Sequence, residues 1–238
     1  MLTVNKFIDL IQTHLDIQDN QILNNLYKYY ELVEIENQKY NLTGYRDEKL
    51  VNEGIIESIL IFINIEKEIL NLDNKKVLDI GSGAGFPIIP YKIYRPNLDI
   101  TIYEPMQKRV NFLNMVINDL SLQNIIVKKI RAEESNEEYK FDFISAKAVS
   151  ELKNLIEISF NLGKKNGVFC FLKSKNYQNE INNASKIINT FKIDTKIKKV
   201  INPFGYETNL IFYNKTINNL ENYPRKWSFI IKDDLKKV

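Results

Sequence analysis

The chain has 238 residues, 44% of them apolar and 26% charged, with a formal net charge of +3. That length suits one α/β domain with a helical extension, and that balance excludes disordered, collagen-like and disulfide-rich classes. No run approaches the ~20 apolar residues of a membrane span, and Met1-Leu2-Thr3-Val4-Asn5-Lys6 leads into no apolar signal region, so a cytoplasmic protein without membrane attachment is expected.

Two lone residues carry little chemistry. Cys170, the single cysteine, lies in the apolar run Val168 to Leu172, which predicts a buried thiol and leaves no intramolecular disulfide or thiolate metal cluster. His14 falls on the polar side of an amphipathic segment and is read as a solvated helix residue. No metal site is expected.

From Val4 to about Leu72 the apolar spacing is helical. Val4, Phe7, Ile8, Ile11 and Leu15 share one face, and Ile22, Leu23, Leu26, Tyr30 and Val33 share another. Tyr40-Asn41-Leu42-Thr43-Gly44 interrupts with residues that favour turns, and Leu50, Ile55, Ile59 and Ile63 resume a helical face. Residues 1–72 are therefore expected to form a helical extension, and 73–238 the main domain.

After Lys75 the period changes. Short apolar runs at 76–80, 98–103, 125–130, 141–147, 167–173 and 208–213 read as strands, with helices expected near 87–94, 107–120, 151–162 and 178–191. Such alternation predicts a mostly parallel sheet with crossover helices.

The first of these strands, Lys76-Val77-Leu78-Asp79-Ile80, runs into Gly81-Ser82-Gly83-Ala84-Gly85-Phe86-Pro87. Glycines let such a turn be tight and let a ligand press against main-chain N–H groups. A dinucleotide fingerprint would put its third glycine where Phe86 stands; the G-x-G-x-G order here favours S-adenosylmethionine over NAD. Glu104 ends the next strand, near the interval at which a carboxylate meets ribose hydroxyls, and is expected to bind them.

Arg131-Ala132-Glu133 and Ser145-Ala146-Lys147 end two further strands at the same sheet edge. Ala132 N–H and the Glu133 side chain suit an adenine edge, and Lys147 suits a cofactor or substrate phosphate; solvated charges ending each strand fit the same pattern. The stretch from Tyr223 carries Arg225, Lys226, Lys232, Lys236 and Lys237 against Asp233 and Asp234, a balance that fits a polyanion or a plain solvated surface.

With these segments assembled, the chain resembles the bacterial small-subunit ribosomal RNA guanine-N7 methyltransferases, the glucose-inhibited division protein B family, over nearly its whole length. Tyr40-Asn41-Leu42-Thr43 with Arg46-Asp47, Asp79 to Pro87, Lys108-Arg109-Val110 with Phe112-Leu113, Arg131-Ala132-Glu133 and Ala146-Lys147-Ala148-Val149 carry the resemblance, together with Tyr223-Pro224-Arg225-Lys226. It implies a class I, Rossmann-like methyltransferase fold of about seven strands. The implied activity is methyl transfer from S-adenosylmethionine to N7 of a guanosine in 16S RNA, free or in the small subunit.

The implied cofactor contacts are Gly81, Phe86, Glu104, Ala132, Glu133 and Lys147, with Gly83 added from the loop itself. Lys147, Lys173 and Lys175, with Arg225 and Lys226, are expected to hold RNA phosphates, while Phe86 or Tyr206 contacts a base or packs as a plain core aromatic, the default for Tyr206. No catalytic residue is singled out, and a monomer is expected. Three features depart from the family pattern: Lys147 stands for its usual arginine, Glu53-Gly54 for an Arg-His pair, and Trp227-Ser228-Phe229 for a glycine-rich ending. The competing readings are a non-catalytic RNA-binding or ribosome-assembly factor that kept the fold, and an NAD-dependent oxidoreductase.

Overall fold

The computed structural model describes residues 1–235; Lys236 and Lys237 of the basic ending lie outside the described residues. Helices come first: α1 (Val4–His14), α2 (Asn20–Lys39), the single turn α3 (Asp47–Lys49), a wide π-helical stretch Leu50–Ile56, and α4 (Glu57–Glu68). Thr3 and Asp19 accept hydrogen bonds from first-turn amides of α1 and α2, as N-cap side chains do.

The interruption after α2 is organised by Asn37. Its Oδ1 accepts from Leu42 N and Thr43 N, both at 3.0 Å, and its Nδ2 donates to the Tyr45 carbonyl at 3.1 Å. This satisfies the backbone of the turn that Tyr40-Asn41-Leu42-Thr43 announces.

Seven strands then alternate with helices: β1 (Lys76–Ile80), α5 (Ile88–Tyr94), β2 (Asp99–Tyr103), α6 (Gln107–Asp119), β3 (Ile125–Lys128), β4 (Phe141–Lys147), α7 (Leu152–Ser159), β5 (Gly163–Lys173), α8 (Tyr177–Asn183), α9 (Ser185–Thr190), β6 (Lys196–Ile201), β7 (Glu207–Asn214) and α10 (Trp227–Leu235). The sheet order is β3-β2-β1-β4-β5-β7-β6, and β7 alone runs antiparallel to its neighbours β5 and β6. The order reverses between β1 and β4, which places the ligand crevice of an open α/β sheet at their carboxyl ends.

Apolar burial explains the layers. Phe7, Tyr30, Phe62, Tyr91, Phe112 and Val116 close one sheet face, so the first helices share a core with α5 and α6. Leu155, Phe160, Phe169, Phe191, Tyr213 and Ile230 close the other. Cys170 is fully buried on the first of these faces, as expected, and burial pushes its thiol pKa up. Among the described residues no helix is long and apolar enough to cross a membrane.

Three elements differ from expectation. β6 was not anticipated, because its burial is that of a lysine-bearing edge strand with Val200 alone buried. The helix expected over 178–191 breaks at Ala184 into α8 and α9. α10 follows the Tyr223-Pro224 peptide, where no apolar period had been read.

Candidate functional site

The glycine loop is shaped by what presses on it. Gly81 has φ +70°, and a Cβ there would sit 2.6 Å from Val149 Cγ2; Gly85 has φ +102°, and a Cβ would meet Ile89 Cγ1 at 2.6 Å. Both positions need glycine for conformation and for space. From behind, the buried Tyr29 hydroxyl on α2 donates to the Ala84 carbonyl at 2.7 Å, so the helical extension holds the loop.

Asp79 lies beneath the loop, where its carboxylate accepts from the Ser82 hydroxyl and, at 2.7 Å, from that of Ser145. Burial pushes its pKa up to about 7; the two hydroxyl donors oppose that shift and the nearby Glu104 charge adds to it. It is a structural tie between loop and β4.

In front of the loop is a cleft of about 280 Å³. Glu104, 1% exposed, is fixed there: Oε2 accepts from Gly83 N at 3.1 Å and Oε1 from Met106 N at 2.9 Å, while Arg109 Nη1 lies 4.0 Å away. Each oxygen retains a further lone pair for a ligand hydroxyl. Gly81 and Ala132 line the same cleft.

Glu133 faces it with an unmet demand. Its side chain is 5% exposed, and Oε1 has no hydrogen-bond partner; Arg131 Nη1, at 3.9 Å, is beyond hydrogen-bond reach. Burial raises the carboxyl pKa above its usual range. An orphaned buried oxygen at a cleft calls for a donor from a ligand. Met106, Ile130, Ile158 and Trp227 give the walls their apolar character.

A second cleft of about 510 Å³ adjoins the first, and Ala148 and Val149 line both. Lys147 lies in this second cleft, paired at 3.0 Å with Glu57 from α4, whose other oxygen accepts from the Thr208 hydroxyl at 3.1 Å. Lys173 is 7% exposed and already committed, donating to the Ser150 carbonyl and to Glu180, each at 2.6 Å. Tyr206 is 49% exposed on the rim of this cleft instead of in the core, and its hydrogen bond to Glu53 is the main cause of its raised pKa.

The remaining candidates separate. Phe86 packs edge-on between Tyr29 and Tyr45, behind the second cleft's wall and lining neither cleft, and leaves room at Gly54 for glycine alone: a Cβ there would lie 2.9 Å from Phe86 Cζ. That contact explains the glycine of Glu53-Gly54. Arg225 forks onto Glu157 of α7, whereas Lys226 and Lys175 are exposed.

Sequence reasoning missed Glu57, Thr208 and Trp227 as site residues. Glu57 reaches Lys147, and Thr208 reaches Glu57, from elements far apart in the chain, which leaves no local signal. Trp227 stood out in the sequence as a departure from the family ending.

The family model described as rRNA small subunit methyltransferase G (GidB) matches residues 22–209. The Ribosomal RNA small subunit methyltransferase G of Mycoplasmopsis pulmonis is 39% identical over 215 residues, 89% of this chain and 92% of its own. The protein of the same name from Clostridium botulinum (strain Loch Maree) is 36% identical over 243 residues, 97% of this chain and 100% of its own. Among solved structures, a SAM dependent methyltransferase from Aquifex aeolicus superposes with a TM-score of 0.55 at 18% identity, covering 71% of this chain and 96% of that one. M. jannaschii TYW2 in complex with AdoMet gives 0.51 at 16% identity, covering 66% and 76%. These two likenesses bear out the expected Rossmann-like fold. The chain belongs to the rRNA small subunit methyltransferase G (GidB) family and is a methyltransferase.

Proposed function

We propose that the protein transfers a methyl group from S-adenosylmethionine to N7 of a guanosine in the 16S RNA of the small ribosomal subunit. The observation that carries the reading is the meeting of two clefts at Ala148 and Val149, one ending at the orphaned Glu133 oxygen and the other at Lys147. One cleft takes the cofactor and the other the base.

The residues of the first cleft fit the cofactor. Glu104, held by two backbone N–H groups, accepts from the ribose hydroxyls; Glu133 Oε1 accepts from the adenine amine; Gly81 lets the chain approach closely. Bound S-adenosylmethionine supplies an electrophilic methyl group on its sulfonium.

Guanine N7 carries an in-plane lone pair and needs no deprotonation before attack. The protein therefore works by placing base and methyl in line and by excluding water. Consistent with this, the charged groups Lys147, Glu57, Lys173 and Glu180 of the second cleft are tied to one another. Among the cationic candidates, Lys147 and Lys226 hold RNA phosphate in this reading, while Lys173 and Arg225 serve internal ion pairs.

The same reading makes ribosomal RNA, free or assembled in the subunit, the partner of a cytoplasmic monomer built from a 1–72 extension and a 73–238 catalytic unit. Expression of the chain in a bacterium lacking its own enzyme of this family tests it. Mass spectrometry of the 16S RNA should then recover one N7-methylguanosine; an unmodified RNA overturns the reading.

A further inference from the structure

We propose that Trp227 is a cofactor-binding residue: its indole walls the adenine end of the cleft, held there by a strap, residues 223–226, that Glu157 anchors. The inference rests on the cofactor reading above and extends it to the C-terminal segment.

Trp227 is half-buried and lines the same cleft as Glu104, Ala132 and Glu133. The orphaned Glu133 oxygen fixes where a donor must lie, and beside it the cleft offers the flat indole. A heteroaromatic ring whose amine meets that oxygen finds in Trp227 a face to stack on, a contact open to any base because each has a π-face.

Two contacts set the indole in place. The Arg131 guanidinium lies over the Trp227 ring, 5.9 Å from its centroid, so both neighbours of the adenine end are mutually braced. Two residues earlier, Arg225 donates from Nε and Nη2 to the two oxygens of Glu157, each at 2.7 Å, and from its backbone N at 3.1 Å. Glu157 is buried on α7 next to Ile158, a wall of the cleft, so the strap is referenced to the cleft itself.

Trp227 is the chain's single tryptophan, which makes the test direct. Titration of the full chain with S-adenosylhomocysteine should change the intrinsic tryptophan emission with the same affinity that calorimetry reports. Trp227→Ala should weaken binding about tenfold, and Trp227→Phe should restore most of it. Arg225→Ala, which leaves the indole intact, should also weaken binding and reduce the emission change. Calorimetric binding with unchanged emission and unchanged affinity in Trp227→Ala overturns the inference while leaving the cofactor reading intact. Absence of calorimetric binding to the unsubstituted chain overturns both.

Discussion

Arg225 grips Glu157 from three donors, its own backbone amide, Nε and Nη2, and Glu157 is 2% exposed. A carboxylate so placed is costly to leave unpaired, so this pair fixes the chain's last turn before α10. The pair Arg225-Lys226 therefore divides into an internal anchor and an exposed lysine.

Arg225→Ala should destabilise the fold by about 2 kcal/mol, below the ~3–5 kcal/mol for breaking a fully buried pair because the arginine is partly exposed. Lys226→Ala should leave the melting temperature unchanged and lower the salt slope of RNA binding by about 1. Thermal melts and filter binding at several salt concentrations check both. A normal melt for Arg225→Ala, with a reduced salt slope, would return Arg225 to the RNA interface.

Gly81→Ala should be poorly tolerated. A Cβ at φ +70° is strained by roughly 1–2 kcal/mol, and at 2.6 Å from Val149 Cγ2 it also displaces one of the two residues shared by the clefts. Methyl transfer should fall far more than stability does. Comparison of kcat with the melting temperature distinguishes this from simple unfolding.

Glu104→Gln replaces one acceptor oxygen by an NH2 group facing either Gly83 N or Met106 N, two donors in opposition. Cofactor affinity should drop at least tenfold, corresponding to about 1.4 kcal/mol. Calorimetry with S-adenosylhomocysteine gives the answer.

Lys147→Ala should behave differently from Glu104→Gln, because Lys147 belongs to the second cleft. Its removal leaves Glu57 with Thr208 as partner and should lower kcat/KM for RNA about tenfold or more with cofactor affinity unchanged. A matching loss of cofactor affinity would move Lys147 into the cofactor site.

Asp79 gives a pH signature. Its folded pKa, about 7, lies above the ordinary value of 3.8, so the folded state holds a proton that the unfolded state releases. The corresponding stability is complete below pH 4 and is lost as pH rises toward 7, at up to about 1.4 kcal/mol per pH unit. Asp79→Asn should flatten the melting temperature across that window.

Much of this architecture is legible in the residues because buried parallel strands leave continuous apolar runs. Lys76–Ile80 and Phe141–Lys147 match their expected bounds for that reason. β6 escaped because an edge strand interleaves lysines with Ile197 and Ile201, both exposed. In the clefts, Glu104 and Glu133 were readable because each follows a strand at the sheet's carboxyl edge. The partners of Lys173 and Arg225 were not, since Glu180 and Glu157 come from helices whose approach is set by packing. A cation near a strand end or a chain end looks the same in sequence whether it meets phosphate or a buried carboxylate.

The most direct measurement is methyl transfer itself: the purified chain, methyl-tritiated S-adenosylmethionine and small ribosomal subunits or their RNA, with the label then mapped. Label on a single guanosine of the 16S RNA, at N7, is the expected result. Label on another atom or another RNA, or none despite cofactor binding, would contradict it.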